Sequence, residues 1–251
     1  MSETPPVALV TGAARRIGAA IVRRLHAEGY AIALHYRDSA AAAVALAAEL
    51  EGMRADSVLL LPADLDEFDR LPELVAKTIR RFGRLDALVN NASAFFPTPF
   101  RATTPAQWEA LFAANVRAPF FLAQAAAPHL AAAQGAIVNL VDIHGERPLR
   151  DHAVYGMSKA ALIQMTRALA LELAPEVRVN AVAPGAILWP EADQNGDTKA
   201  TSAQTALLTR TPLGRIGTAE EIAEAVRWLL RDATYTTGQV LRVDGGRLLA
   251  E

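Results

Sequence analysis

The chain has 251 residues, which one large α/β unit or two smaller domains can fill. Its 25 Lys+Arg against 27 Asp+Glu leave a net charge of −2, which argues against a broad basic surface for nucleic acid or an acidic membrane. The hydrophobic share of 52% beside 21% charged residues is that of a globular chain, and the lack of cysteine excludes disulfide scaffolds, thiol nucleophiles and cysteine-ligated zinc.

Val7 to Val10 reads as a strand, and Ile17 to Glu28 as a helix closed by Gly29. Ala31 to Tyr36 is the second strand, after which Ser39 is expected to cap an Ala-rich helix to about Glu51. Val58 to Leu61 forms a third strand, followed by a helix from about Glu67 to Phe82, and Ala87 to Asn90 a fourth strand. A long helical region from about Pro105 to Ala133 is expected to kink or divide at Pro119 and Pro128. Ala136 to Val141 is the fifth strand, Val154 to Leu173 a strongly periodic helix, and Val177 to Val182 the sixth strand. Thr218 caps a helix to about Leu230, and Gln239 to Val243 closes the series as a seventh strand.

Strands separated by helix-length crossovers pair in parallel and carry helices on both faces. The expectation is an α/β fold: one domain with a Rossmann-like, doubly wound parallel sheet of about seven strands. Its ligand crevice then lies beyond the carboxyl ends of the strands. The stretch 185–202 falls outside this rhythm; with Trp189, Pro190, Glu191 and Asp193 it reads as a candidate lid over the crevice. The N-terminus lacks a basic start, and the uncharged stretch 118–141 is interrupted by Pro119, Gln124, Pro128 and Asn139. Neither a signal peptide nor a membrane span is therefore expected, and a cytoplasmic location follows.

The first strand runs directly into Thr11-Gly12-Ala13-Ala14-Arg15-Arg16-Ile17-Gly18, which opens a helix. Small residues there let the backbone approach a pyrophosphate, and the helix N-terminus supplies free N–H groups and positive potential. Arg16 stands where such loops usually carry a glycine; an arginine there can hydrogen-bond a phosphate or a carbonyl-rich substrate. The end of the second strand selects the dinucleotide: an acid accepts from the ribose 2′-hydroxyl of NAD, a basic residue accommodates the 2′-phosphate of NADP. Here His35-Tyr36-Arg37-Asp38-Ser39 offers both. Arg37 and Ser39, helped by His35, make a phosphate cradle for NADPH, whereas Asp38 leaves the NAD reading open.

Tyr155 and Lys159 are four apart on a helix, hence one turn apart on one face. A neighbouring ammonium favours the phenolate and is expected to lower the tyrosine pKa toward neutrality, making it a usable proton donor.

Thr11 to Gly18, Asn90-Asn91-Ala92, Asn115, Tyr155-x-x-x-Lys159, Pro184-Gly185 and Val243-Asp244-Gly245-Gly246 together resemble the motif set of the short-chain dehydrogenase/reductase family. The resemblance implies a nicotinamide-dependent reductase and a homotetramer. Tyr155 would donate the proton, Lys159 bind the nicotinamide ribose, and Asn115 support a proton-relay water. Most members carry a serine 13 residues before the tyrosine; here that position is Asp142. A carboxylate accepts hydrogen bonds, so it suits a ring nitrogen gaining a proton better than a carbonyl oxygen. The bond reduced would then be C=N.

Arg16, His35-Tyr36 with Ser39, the run Asn91-Ala92-Ser93-Ala94-Phe95-Phe96-Pro97-Thr98-Pro99 and Asp142 are similar to the pteridine reductase and dihydromonapterin reductase subfamily. That resemblance implies a pterin or folate substrate stacked on Phe95, with Ser93 and Arg16 touching both pterin and cofactor. It places Asp64 and Leu65 against the adenine, and Asn91, Ala92, Pro184, Gly185, Ala186 and Ile187 along the cofactor groove. Three bland alternatives stand beside this. Asp142 caps the following loop while Tyr155 reduces a carbonyl alone; Phe95 and Phe96 are core; or the chain is a non-catalytic NADP-binding sensor. His26 and His129 sit in helices and suggest no metal cluster.

Overall fold

The computed structural model describes residues 4–187, 205 and 207–250. Seven strands form one parallel sheet: β1 (Val7–Val10), β2 (Ala31–Tyr36), β3 (Val58–Pro62), β4 (Ala87–Asn90), β5 (Ala136–Leu140), β6 (Arg178–Pro184) and β7 (Val240–Val243). Their order is β3-β2-β1-β4-β5-β6-β7. The chain winds outward from β1 in one direction, returns, and winds outward from β4 in the other. The register pairs Leu9 with Ala33 on one side and Leu88 on the other, so the strand order reverses at the β1–β4 junction. A crevice opens at such a junction because the crossovers on its two sides leave to opposite faces.

Buried on both sides, the central strands are apolar almost without alternation: VALV and ALVN have no exposed residue. One face is covered by α1 (Arg16–Ala27), α2 (Ala40–Met53) and α7 (Ala219–Arg231), whose Ile21, Leu46 and Val226 join the same core. The other face is covered by α3 (Leu71–Phe82), α5 (Ala118–Ala133) and α6 (Ala153–Glu172), through Leu74, Leu122 and Leu162. Helix α7 begins as expected, with a capping box in which Thr218 and Glu221 each satisfy the other's backbone N–H.

Two expectations are corrected. Ser39 occupies the N-cap position of α2, but its side chain makes no capping hydrogen bond. The long helical region divides at neither proline. It breaks between α4 (Pro105–Phe112) and α5 at a π-helical turn, Ala113–Arg117, with Pro119 already in the first turn of α5 and Pro128 inside it. Pro119 follows that turn, where the hydrogen-bond pattern has already changed, so its missing N–H interrupts no continuous α-helical ladder. The extra residue of the π turn carries Asn115. The proposed lid around Trp189 lies outside the described residues. Among the described residues, no helix is long and apolar enough to cross a membrane.

Candidate active site

Beyond the carboxyl ends of the strands lies a cleft of about 840 Å³. It is lined by Gly12, Arg16, Ile17 and Gly18 from the first turn, and by His35, Tyr36, Arg37, Asp38 and Ser39 after β2. Asp64 and Leu65 follow β3, Asn91, Ala92, Ser93 and Phe95 follow β4, and Asp142, Tyr155 and Lys159 follow β5. Pro184, Gly185, Ala186 and Ile187 complete it after β6. Of the residues expected to act in catalysis, Asn115 stands behind the wall rather than in it.

Close backbone contact holds the first turn. The Thr11 hydroxyl accepts from the N–H groups of Asn91 and Ala92, both at 3.0 Å, and the Asn91 amide donates to the carbonyls of Thr11 and Gly12, both at 2.9 Å. This welds the β1 turn to the β4 turn across the switch point. A Cβ on Gly12 would sit 2.9 Å from Ala92 Cα, and one on Gly18 would sit 2.3 Å from the Gly12 carbonyl. Arg16 has a φ of 53°, the left-handed conformation that favours glycine, so the arginine has inherited the backbone of the residue it replaces. Helix α1 then starts with no side-chain cap and no acid in its first turn. Uncapped N–H groups flanked by Arg15 and Arg16 are the chemistry a pyrophosphate requires.

His35 corrects the expected phosphate cradle. It is buried; Nδ1 accepts from the Gly12 N–H at 3.1 Å and Nε2 meets the Ala63 carbonyl at 3.1 Å. Burial holds its pKa down to about 4, against the partial support of the Ala63 carbonyl and Asp64. The ring is therefore neutral and positions Gly12 instead of offering charge. Arg37 and Asp38 stand exposed and ion-paired with each other at 2.7 Å. Both determinants of dinucleotide choice thus occupy one rim of the cleft.

At the far end of the cleft, Asp142 serves two groups. Oδ1 accepts from the His144 N–H at 2.8 Å, capping a short 3-10 turn, Ile143–Gly145, and Oδ2 accepts from the Tyr155 hydroxyl at 2.7 Å. Burial and the Asp142 charge push the Tyr155 pKa up, the reverse of the expected lowering. Lys159 does not reach the phenol: its buried Nζ donates to the Leu140 carbonyl at 2.9 Å and lies 5.8 Å from the Tyr155 ring centroid. Burial brings the ammonium down to about 8, partly offset by Asp142. Tyr155 thus holds its proton firmly, aimed at a carboxylate.

Asn115 is also reassigned. Its Oδ1 accepts from the Ala94 N–H at 2.8 Å and the Ser93 hydroxyl at 3.0 Å, while Nδ2 donates to the Ala94 carbonyl at 3.0 Å and the Ser158 hydroxyl at 2.9 Å. The side chain is fully engaged in pinning the 93–95 loop to α6 at Ser158, the residue before Lys159. That loop presents Phe95, which is 57% exposed and stacks on His152 at 4.7 Å while meeting the Tyr155 ring edge-on at 4.7 Å. Phe96 instead packs against the small cluster of Leu111, Val154 and Tyr155, so the two phenylalanines divide between cleft and core. Sequence reading missed Arg247 and Leu207, which also line the cleft. Arg247 was within reach, since it closely follows β7 and the carboxyl end of any strand in such a sheet faces the crevice.

A doubly wound parallel sheet with this phosphate turn and a tyrosine–lysine pair at its switch-point cleft defines a dinucleotide-binding oxidoreductase. A family model described as Enoyl-(Acyl carrier protein) reductase matches residues 12–247. Pteridine reductase 1 of Leishmania tarentolae is 38% identical, with 98% of this chain and 97% of the relative covered. Granaticin polyketide synthase putative ketoacyl reductase 2 of Streptomyces violaceoruber is 42% identical over 96% of this chain and 95% of its own length. The 3-oxoacyl-(acyl-carrier-protein) reductase FabG of Staphylococcus aureus (strain Mu50 / ATCC 700699) is 35% identical, with 95% of this chain and 96% of the relative covered. The chain belongs to the short-chain dehydrogenase/reductase family, whose members use nicotinamide cofactors.

Proposed function

We propose that the protein is an NADPH-dependent pterin reductase that converts dihydropterins to tetrahydropterins, acting in the cytoplasm as a homotetramer of one-domain subunits. The observation that carries this reading is the 2.7 Å hydrogen bond from Tyr155 to Asp142, a carboxylate where most of the family carries a serine. The likeness to pteridine reductase 1 over nearly the whole chain supports it.

The uncapped, arginine-flanked start of α1 would hold the pyrophosphate of a dinucleotide, Asp64 and Leu65 its adenine, and Arg37 and Ser39 a 2′-phosphate. When bound, the nicotinamide supplies a hydride. All other chemistry falls to the chain. Phe95 gives a flat heteroaromatic ring a stacking face at the cleft mouth. The Tyr155 phenol, kept protonated by burial and by Asp142, is the proton store. As a ring nitrogen gains negative charge, the proton passes from Tyr155 through the Asp142 carboxylate, which can accept it and hand it on. Lys159, buried nearby with its ammonium on the Leu140 carbonyl, would stabilise the phenolate left behind through its charge and would hold the nicotinamide ribose. Ser93 and Arg16, which line the same cleft, would contact both ligands.

A second reading is favoured by the other Asp142 oxygen. Its bond to the His144 N–H is a purely structural cap, and with ketoacyl reductases among the relatives a β-ketoester is the competing substrate.

The test is NADPH and NADH oxidation by the purified protein with 7,8-dihydrobiopterin, dihydromonapterin, dihydrofolate and an aliphatic β-ketoester. Consumption of NADPH with the pterins, absent with the ketoester, is expected. Turnover of the ketoester alone would transfer the assignment to the second reading.

A further inference from the structure

The C-terminal turn brings an unassigned cation into the substrate end of the cleft. Arg247 opens the 3-10 turn Arg247–Leu249 just beyond β7, and its half-buried side chain lines the same cleft as Asp142 and Tyr155. Among the described residues its guanidinium has no hydrogen bond or ion pair. Burial lowers its pKa, opposed by the charge of Asp142 and reinforced by Arg147 and Arg210. The turn is fastened from across the site. Arg147 donates to the carbonyl of Arg247 at 3.3 Å and to that of Ala250. From the other side, Asp244 accepts from the N–H groups of Gly246 at 2.9 Å and Leu248 at 2.8 Å.

This arrangement keeps a bare guanidinium in partial burial. The nearby carboxylates do not neutralise it: Asp142 already accepts from Tyr155 and His144, and Asp244 from its own turn. Both acids are thus committed to other donors, while Arg147 sets a second cation beside Arg247. A partly desolvated guanidinium with unfilled donors recognises oxyanions, and does so with a forked geometry that lysine lacks.

We propose that Arg247 is a substrate-recognition residue that binds an anionic tail, a carboxylate or a phosphate, on a substrate whose ring lies against Phe95 and Asp142. Arg147 is its positioning residue. This rests on the pterin reading above, and it predicts that pterins with charged tails are preferred over those with neutral ones.

The test compares kcat/KM for dihydrofolate, whose tail ends in carboxylates, and dihydroneopterin phosphate with that for 7,8-dihydrobiopterin, whose tail is neutral. Arg247→Gln should lower the ratio of charged to neutral substrate about tenfold, Arg247→Lys should restore part of it, and Arg147→Met should shift it in the same direction. A fall with dihydrofolate only names carboxylate as the tail, and with the phosphate only, phosphate. An unchanged ratio in Arg247→Gln overturns the inference while leaving pterin reduction intact. Should no pterin be turned over, titrating p-aminobenzoylglutamate into the NADPH-loaded protein by calorimetry separates the two claims. Binding that is lost in Arg247→Gln upholds the anion site without the pterin assignment, whereas equal or no binding in both proteins removes it.

Discussion

Asp142 illustrates how one side chain can serve two groups, because a carboxylate has two oxygens: one caps a turn and the other accepts a hydrogen bond from the Tyr155 hydroxyl. Spacing alone put Tyr155 and Lys159 on one helix face, and that much was legible. The direction of the tyrosine's pKa was not. It depends on burial and on a carboxylate 13 residues away, and these outweigh an ammonium that bonds the Leu140 carbonyl instead. His35 carries a similar lesson. A histidine at the end of β2 looks like a charge for phosphate, yet the fold buries it between Gly12 and Ala63. Its pKa near 4 lies below the ordinary 6.5. Between those values the unfolded chain binds a proton that the folded one refuses, so stability falls as pH drops through that window. Wild-type protein is expected to lose about 3 kcal/mol more than His35→Asn between pH 7 and pH 4 in urea unfolding, from a shift of about 2.5 pH units. Parallel losses in the two proteins would refute this.

Among the elements, the π turn between α4 and α5 decides the shape of the substrate wall. Without its extra residue, Asn115 would face another direction, and the 93–95 loop would lose three hydrogen bonds and its tie to Ser158. Periodicity could not announce it, since the flanking helices are Ala-rich and apolar on most sides. The prolines, which are visible in sequence, turned out to be harmless at a helix start and tolerated within α5. Asn115→Ala should cost about 2–4 kcal/mol in denaturant unfolding, because buried partners are left unpaired as well as a bond lost. It should also raise KM for a ring that stacks on Phe95. A loss below about 0.5 kcal/mol would show that the loop holds itself.

For the molecule as a whole, the doubly wound class was legible because seven apolar runs separated by helix-length segments require parallel pairing and right-handed crossovers. The strand order was not, since more than one order obeys that rule, but nearly all the expected cofactor residues line the cleft because they close the strands. What stayed hidden depends on contacts between distant parts of the chain. Arg147 holding the C-terminal turn spans about a hundred residues, and no local pattern records it.

The proposed function turns on the carboxylate at position 142, which would set the chain to reduce C=N rather than C=O. The most direct measurement compares wild-type protein with Asp142→Ser, following NADPH consumption with 7,8-dihydrobiopterin and with an aliphatic β-ketoester. The serine variant is expected to lose at least about a hundredfold in pterin turnover, the range lost when a positioned acid–base group is removed, and to gain measurable ketoester reduction. Pterin turnover that survives the substitution intact would contradict it.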